Sequence, residues 1–167
     1  MILVIDVDYR ENEAFVAAVT FKNFNDKHHN KIFTTLVEGV VEYQSGQFYK
    51  RELPCILNLL KEYDLNPKYI VIDGFVFLDG HSKPGLGKYL YDALEEKSII
   101  IGVAKRSFDG ISSKYELYRG KSRKPLFITS VGVKSARAKT YIQNMAGEYR
   151  IPTLLKKADK ECRLRFK

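Results

Sequence analysis

Tyr69-Ile70-Val71-Ile72-Asp73 is a short run, β-branched through its centre and closed by a carboxylate. Such a run reads as a strand covered on both faces, the signature of a parallel sheet, with its acid at the C-terminal end. On its N-terminal side, Ile56, Leu57, Leu59, Leu60 and Tyr63 recur at helical spacing after Pro54, and Asp64-Leu65-Asn66-Pro67 ends that segment. On its C-terminal side a glycine-rich loop from Gly74 to Gly87 leads to a helix around Leu90 to Leu94. A second buried strand then runs from Ser98 to Ala104. Strand, helix, strand is a βαβ unit, because a parallel pair needs a crossover of that length.

Further out, Ile2 to Val7 and Ala14 to Phe21 flank a polar, turn-like segment and read as a hairpin. Ile32 to Val41 supplies a third strand after the polar connection from Asn23 to Lys31. Beyond the βαβ unit, a basic, tyrosine-bearing stretch from Lys105 to Arg123 precedes a strand at Leu126 to Val131. Helices follow at Ala136 to Met145 and Pro152 to Arg163. Hairpin strands followed by alternating helices and strands predict an α/β chain: a mixed sheet with helices on both faces. No repeat, low-complexity tract or linker divides it, so residues 1–167 are expected to form a single domain.

The 28 Lys and Arg against 20 Asp and Glu leave a net charge of +8 and a pI near 9.4. That balance suits a polyanionic partner such as nucleic acid, and equally a solvated cationic surface. Cys55 and Cys162 lie far apart, with no CxxC pair, which argues against a zinc knuckle or a disulfide framework and for a reducing compartment. The chain shows no cleavable leader and no stretch of ~18 apolar residues, so a cytoplasmic location without membrane contact is expected.

Acids stand out where the surroundings are apolar. Asp6 and Asp8 share one face of the first strand, opposite Val7, and Asp73 closes the fourth. A carboxylate among β-branched neighbours is costly unless paired, hydrogen-bonded or bound to a cation. On adjacent central strands, Asp6 and Asp73 would repel without metal and hold Mg²⁺ with it. The alternative is a pair of strand-end aspartates capping loops, and the residues by themselves leave both readings open. Glu52, ahead of the helix that follows Pro54, reads by itself as an ordinary charged residue at a helix start. His81 and Lys105 fall at the carboxyl edge of the sheet, where ligands gather in open α/β folds. Lys105 has the reach to stabilise phosphate charge, although a lone His or Lys in a loop is usually solvated. His28-His29 reads as surface loop, and Gly85-Leu86-Gly87-Lys88 lacks the spacing of a phosphate-binding loop.

The ordered set Ile5-Asp6-Val7-Asp8-Tyr9, Tyr43-x-x-Gly46, Tyr49-Lys50-Arg51-Glu52-Leu53-Pro54, Val71-Ile72-Asp73-Gly74, Gly85-Leu86-Gly87 and Ile101-Gly102-Val103-Ala104-Lys105 resembles the endonuclease V family. Tyr149-Arg150-Ile151-Pro152 and Lys157-Ala158-Asp159 extend the resemblance almost to the end of the chain. It implies a ribonuclease H-like fold and a metal-dependent endonuclease that hydrolyses the second phosphodiester bond 3′ to a deaminated purine such as hypoxanthine. The substrate would be DNA or RNA, the cofactor Mg²⁺ or Mn²⁺ and the product a 5′-phosphate. Position by position, it implies Asp6, Glu52 and Asp73 as metal carboxylates and Asp159 as a fourth, more variable ligand. Lys105 and His81 would join them in catalysis. Tyr43 would be the wedge entering the helix where the base leaves the stack, and Gly46, Gly74 and Lys105 would contact substrate. A monomer is expected.

The chain departs from the family pattern in three places. Tyr43 is followed by Gln44-Ser45 rather than by an apolar residue and proline. The loop after Asp73, reaching His81 through Phe75-Val76-Phe77-Leu78, is longer and more apolar. The usual helical segment ahead of the first strand is missing from the sequence. Two alternatives therefore stand beside the nuclease reading: a binder of modified or structured nucleic acid that does not cut, and a related metal nuclease with another lesion preference.

Overall fold

A computed structural model describes residues 1–40 and 48–164. Three antiparallel strands come first: β1 (Ile2–Arg10), β2 (Glu13–Phe21) and β3 (Lys31–Glu38). They lead into α1 (Phe48–Glu62), then β4 (Tyr69–Asp73), α2 (Leu86–Ala93) and β5 (Ile99–Ala104). A single 3-10 turn at Ser113–Tyr115 precedes the two-residue β6 (Glu116–Leu117), β7 (Leu126–Val131), α3 (Ser135–Gln143) and α4 (Thr153–Leu164). The sheet runs β3-β2-β1-β4-β5-β7-β6. The β1–β4 and β4–β5 pairs are parallel, as the βαβ reading requires, and β7 returns antiparallel to β5. Only the 3-10 turn and β6 separate β5 from β7, with no α-helix between them, so the chain turns back instead of crossing over.

Each central strand has two buried sides. Leu3 and Ile5 of β1, Ile70 and Ile72 of β4 and Ile100 of β5 pack with Ile56 and Leu59 of α1 and Leu90 of α2. The alternate residues Val4, Val71, Ile101 and Val103 pack with Ala138 and Ile142 of α3 and Leu154 and Ala158 of α4. Period-two alternation thus builds two cores from one set of strands, with helices on both faces.

One expectation needs correction. The helix does not begin after Pro54: α1 starts at Phe48, and Pro54 lies inside it. Proline removes the single hydrogen bond that would reach the Lys50 carbonyl. Tyr49 and Leu53 pack against the first core, which favours the extra turns. Glu52 is consequently within the helix, not ahead of it. The strand read as Ile32 to Val41 runs from Lys31 to Glu38: Gly39, with φ +71°, and Val40 fall outside it, and Val41 lies outside the described residues.

Candidate active site

The same alternation positions the acids. Asp6 follows Ile2 and Val4 on the α4 side of β1, and Asp73 follows Tyr69 and Val71 on the same side of β4. Register pairs Ile5 with Ile72 and Asp73 with Val103, so Asp6 and Asp73 stand at one level on neighbouring strands. Lys105, two residues past Val103, comes to the same side, and its Nζ lies 3.3 Å from Oδ2 of Asp73. A cavity of about 130 Å³ opens there, lined among others by Asp6, Asp73, Lys105, Ile151, Lys156 and Asp159.

The loop leaving β4 is held by backbone geometry. Gly74 has φ +143°, a conformation that favours glycine, and its N–H donates to the Val103 carbonyl at 3.2 Å. The Val76 N–H donates to Oγ1 of Thr129 at 2.8 Å. Gly102 lies beneath: a Cβ there would sit 2.5 Å from the Gly74 carbonyl oxygen and 2.9 Å from the Val76 nitrogen. The glycine of Ile101-Gly102-Val103 therefore lets the loop after Asp73 cross β5 at close range.

Charge in the site is poorly compensated. Asp6 is 9% exposed and accepts the Val7 N–H at 2.9 Å, yet burial, and then the charge of Asp73, push its pKa up to about 7. Glu52 is 4% exposed, and burial first, then Asp6 and Asp73, hold it well above the usual carboxylate range. Its Oε2 has no hydrogen-bond partner among the described residues. The neighbouring Arg51 does not relieve it by an ion pair; the guanidinium stacks 3.6 Å above the Tyr9 ring. Asp159, on α4, pairs through Oδ1 with Nε of Arg163 at 3.0 Å.

Among the described residues, Asp6, Asp159 and Cys162 bring two carboxylate oxygens and a sulfur within 4.8 Å of one another. Cys162 was not singled out from the sequence. Its signal was spacing, because Asp159 and Cys162 at i and i+3 share a helix face. Its Sγ donates to the Asp159 carbonyl at 3.1 Å, and burial, then the charge of Asp6, pushes the thiol up.

Buried oxygen donors that repel one another, one of them unpartnered, fit a hard divalent cation, which takes carboxylate oxygens and offsets their charge. Asp6, Asp73, Asp159 and Lys105 are gathered at one cavity, and Glu52 is close enough to feel the charges of Asp6 and Asp73.

His81 is not brought to the cavity. The loop from Phe77 to Pro84 folds as a small hairpin in which Asp79 accepts the backbone N–H groups of His81, Ser82 and Lys83. That turn leaves the His81 side chain 70% exposed, with Nε2 3.8 Å from Oδ2 of Asp79. Tyr43 and Gly46 lie outside the described residues.

A family model described as endonuclease V matches residues 1–124. No curated protein sequence matches the chain. Among solved structures, endonuclease V from Streptomyces avermitilis is 25% identical, with a TM-score of 0.76 over 99% of this chain and 80% of that one. The Bacillus subtilis enzyme is 18% identical, with a TM-score of 0.80 over 99% of this chain and 80% of its own. Endonuclease V from Ciona intestinalis, solved in complex with a 24mer DNA containing an inosine followed by a ribo-adenosine, is 21% identical. It aligns with a TM-score of 0.79 over 99% of this chain and 84% of its own. The sheet order and the helices on both faces are thus those of the ribonuclease H-like fold.

Proposed function

Because the chain belongs to the endonuclease V family, we propose that it hydrolyses the phosphodiester 3′ to a deaminated purine in DNA or RNA. We assign the metal to Asp6, Glu52 and Asp73, with Asp159 as a fourth ligand, and name Mg²⁺ as the resident ion with Mn²⁺ able to substitute. The observation that carries this reading is the placement of Asp6, Asp73 and Lys105 on one sheet face beside the buried, unpartnered Glu52. Inosine-containing DNA in the Ciona complex supports the choice of base.

When bound, the cation would supply charge that activates water and stabilises the leaving oxygen of an in-line displacement. The chain's own contributions are positional. Asp6 is fixed on a central strand by the Val7 N–H. Glu52 is fixed by burial within α1. Lys105 Nζ, half exposed at the rim, sits where it can offset negative charge on the phosphate as the bond breaks. The apolar wall of Val4, Val103, Ile151 and Leu155 lowers the local dielectric and strengthens those interactions.

The decisive experiment incubates purified protein and Mg²⁺ with inosine-containing oligonucleotides, single- and double-stranded, DNA and RNA. Nicking on the 3′ side with a 5′-phosphate product, abolished by EDTA and by Asp73→Asn, is the expected result. Tight binding without cleavage, indifferent to EDTA, would instead assign the fold to recognition alone.

A further inference from the structure

A strongly basic surface adjoins the cavity and is not used by the chemistry above. Lys156 lines the cavity and also lines a neighbouring groove formed by Lys27, His28 and His29 of the β2–β3 connection and by Thr153, Lys157 and Lys160 of α4. Among the described residues, no ion pair engages Lys27, Lys156 or Lys160. The first turn of α4 carries no acid to oppose them.

An aromatic ring stands beside this charge. Tyr149 is 68% exposed, with Nζ of Lys156 5.1 Å from its ring centre. An exposed tyrosine is ordinary, but the backbone beneath this one is tightly secured. Buried Arg119 donates to the carbonyls of Met145, Gly147, Tyr149 and Arg150, at 2.6 Å for Tyr149. Arg150 donates to the carbonyls of Lys105, Pro125 and Lys124, tying the Tyr149 segment directly to the catalytic rim at the end of β5. Two arginines thus hold the backbone that carries this exposed ring, beside the cavity-lining Lys156.

We infer that this surface is the track for one flank of the bound nucleic-acid strand, Tyr149 stacking a base while Lys156, Lys27 and Lys160 contact successive phosphates beside His28 and His29. An exposed aromatic ring on a secured backbone, combined with cations free of ion pairs leading away from a cavity, is the chemistry that holds a single strand without reading its sequence. The inference rests on the nuclease reading for its direction, since the cavity marks where the cut strand lies. Its test does not depend on cleavage.

Binding of a fluorescent single-stranded oligonucleotide is measured by anisotropy in EDTA across a salt series, for the wild type, Lys27→Gln/Lys160→Gln and Tyr149→Ala. Each phosphate contact contributes about 0.7 to the slope of log affinity against log salt, so the double variant should lower that slope by about 1.4. Lys27→Arg/Lys160→Arg should restore it. Tyr149→Ala should weaken binding by about ten-fold with the slope retained, because stacking is not an ionic contact. Slope and affinity unchanged in both Gln and Ala variants, with unchanged thermal melting, would overturn the track. A wild type that binds with these dependences but fails to nick inosine would remove the nuclease reading and leave the track standing.

Discussion

The two faces of the central sheet are made by the same strands and behave differently. Leu3, Ile5, Ile70 and Ile72 send an unbroken apolar set toward α1 and α2, whereas the alternate residues begin with Ile2 and Tyr69, continue through Val4 and Val71 and end in Asp6 and Asp73. One face has only to exclude water. The other excludes water along most of its length and then places carboxylates at its upper rim, where burial and the charge of Asp73 raise the proton affinity of Asp6. Both faces bury an apolar core of similar extent, and the second carries in addition a local cost at Asp6 that a bound cation would offset.

The largest test of that division is Asp6→Asn. On the proposed reading, cleavage should fall by roughly a thousand-fold or more, the several kcal/mol that a catalytic metal supplies. The same substitution removes a buried carboxylate that resists ionisation, so the metal-free protein should melt higher at pH 8. A variant that lost both activity and stability would show that Asp6 supports the fold instead of the site.

Titration follows with a definite sign. Folding raises Asp6 from 3.8 to about 7, so between these values the unfolded chain has released its proton while the native chain keeps it. The native state binds more protons there, and stability must fall as pH rises through that window, then level off above it. The shift corresponds to up to about 4 kcal/mol, and Glu52, raised in the same direction, adds to the trend. Denaturant melts of metal-free protein at pH 5 and pH 8 measure it. Mg²⁺ should raise the melting temperature at pH 8 and much less at pH 5, where protons compete for the same oxygens.

On the opposite face, Leu3→Ala should cost about 2–5 kcal/mol, the range for emptying a closed apolar core. Leu3 is fully buried, so little relaxation can fill the space. Cleavage per folded molecule should be unchanged. Lys105→Ala inverts the pattern: a rim cation paired with Asp73 is lost, and activity should drop by roughly ten- to a hundred-fold with the melting temperature nearly the same.

The face division was legible in the sequence wherever a short period did the work. Runs such as Tyr69 to Asp73 read as buried parallel strands, and alternation set Asp6 and Asp8 on one face of β1. The residues alone left open whether Asp6 and Asp73 met or capped loops, and it is the strand register that brings them and Lys105 together. What was hidden lay in longer-range geometry. The antiparallel return of β7 depends on the lack of a crossover helix, not on any pattern within Leu126 to Val131. Glu52, beside Arg51 and two residues before a proline, looked like a solvated residue at a helix start; tertiary packing extended α1 and buried it. Arg119 gave no local sign of its four carbonyl contacts, because its partners are 26 to 31 positions away.

His81 offers the smallest expected effect and the sharpest check on where the site ends. The family resemblance assigns it a catalytic place, but here the Asp79 turn draws three backbone N–H groups to one carboxylate and leaves the imidazole exposed at the tip of the hairpin. A general acid or base must come within hydrogen-bonding reach of the reacting group, directly or through one water. His81→Ala should therefore change kcat by less than about two-fold, if the hairpin keeps this arrangement with substrate bound. A loss of a hundred-fold with KM unchanged would mean that substrate draws the hairpin inward, extending the functional face beyond the strand ends to a loop that leaves β4 at Gly74. Replacing Asp79 with Ala then separates the two cases. It loosens the turn, so activity should rise or hold if the hairpin must move, and fall only if the observed turn is itself the working conformation.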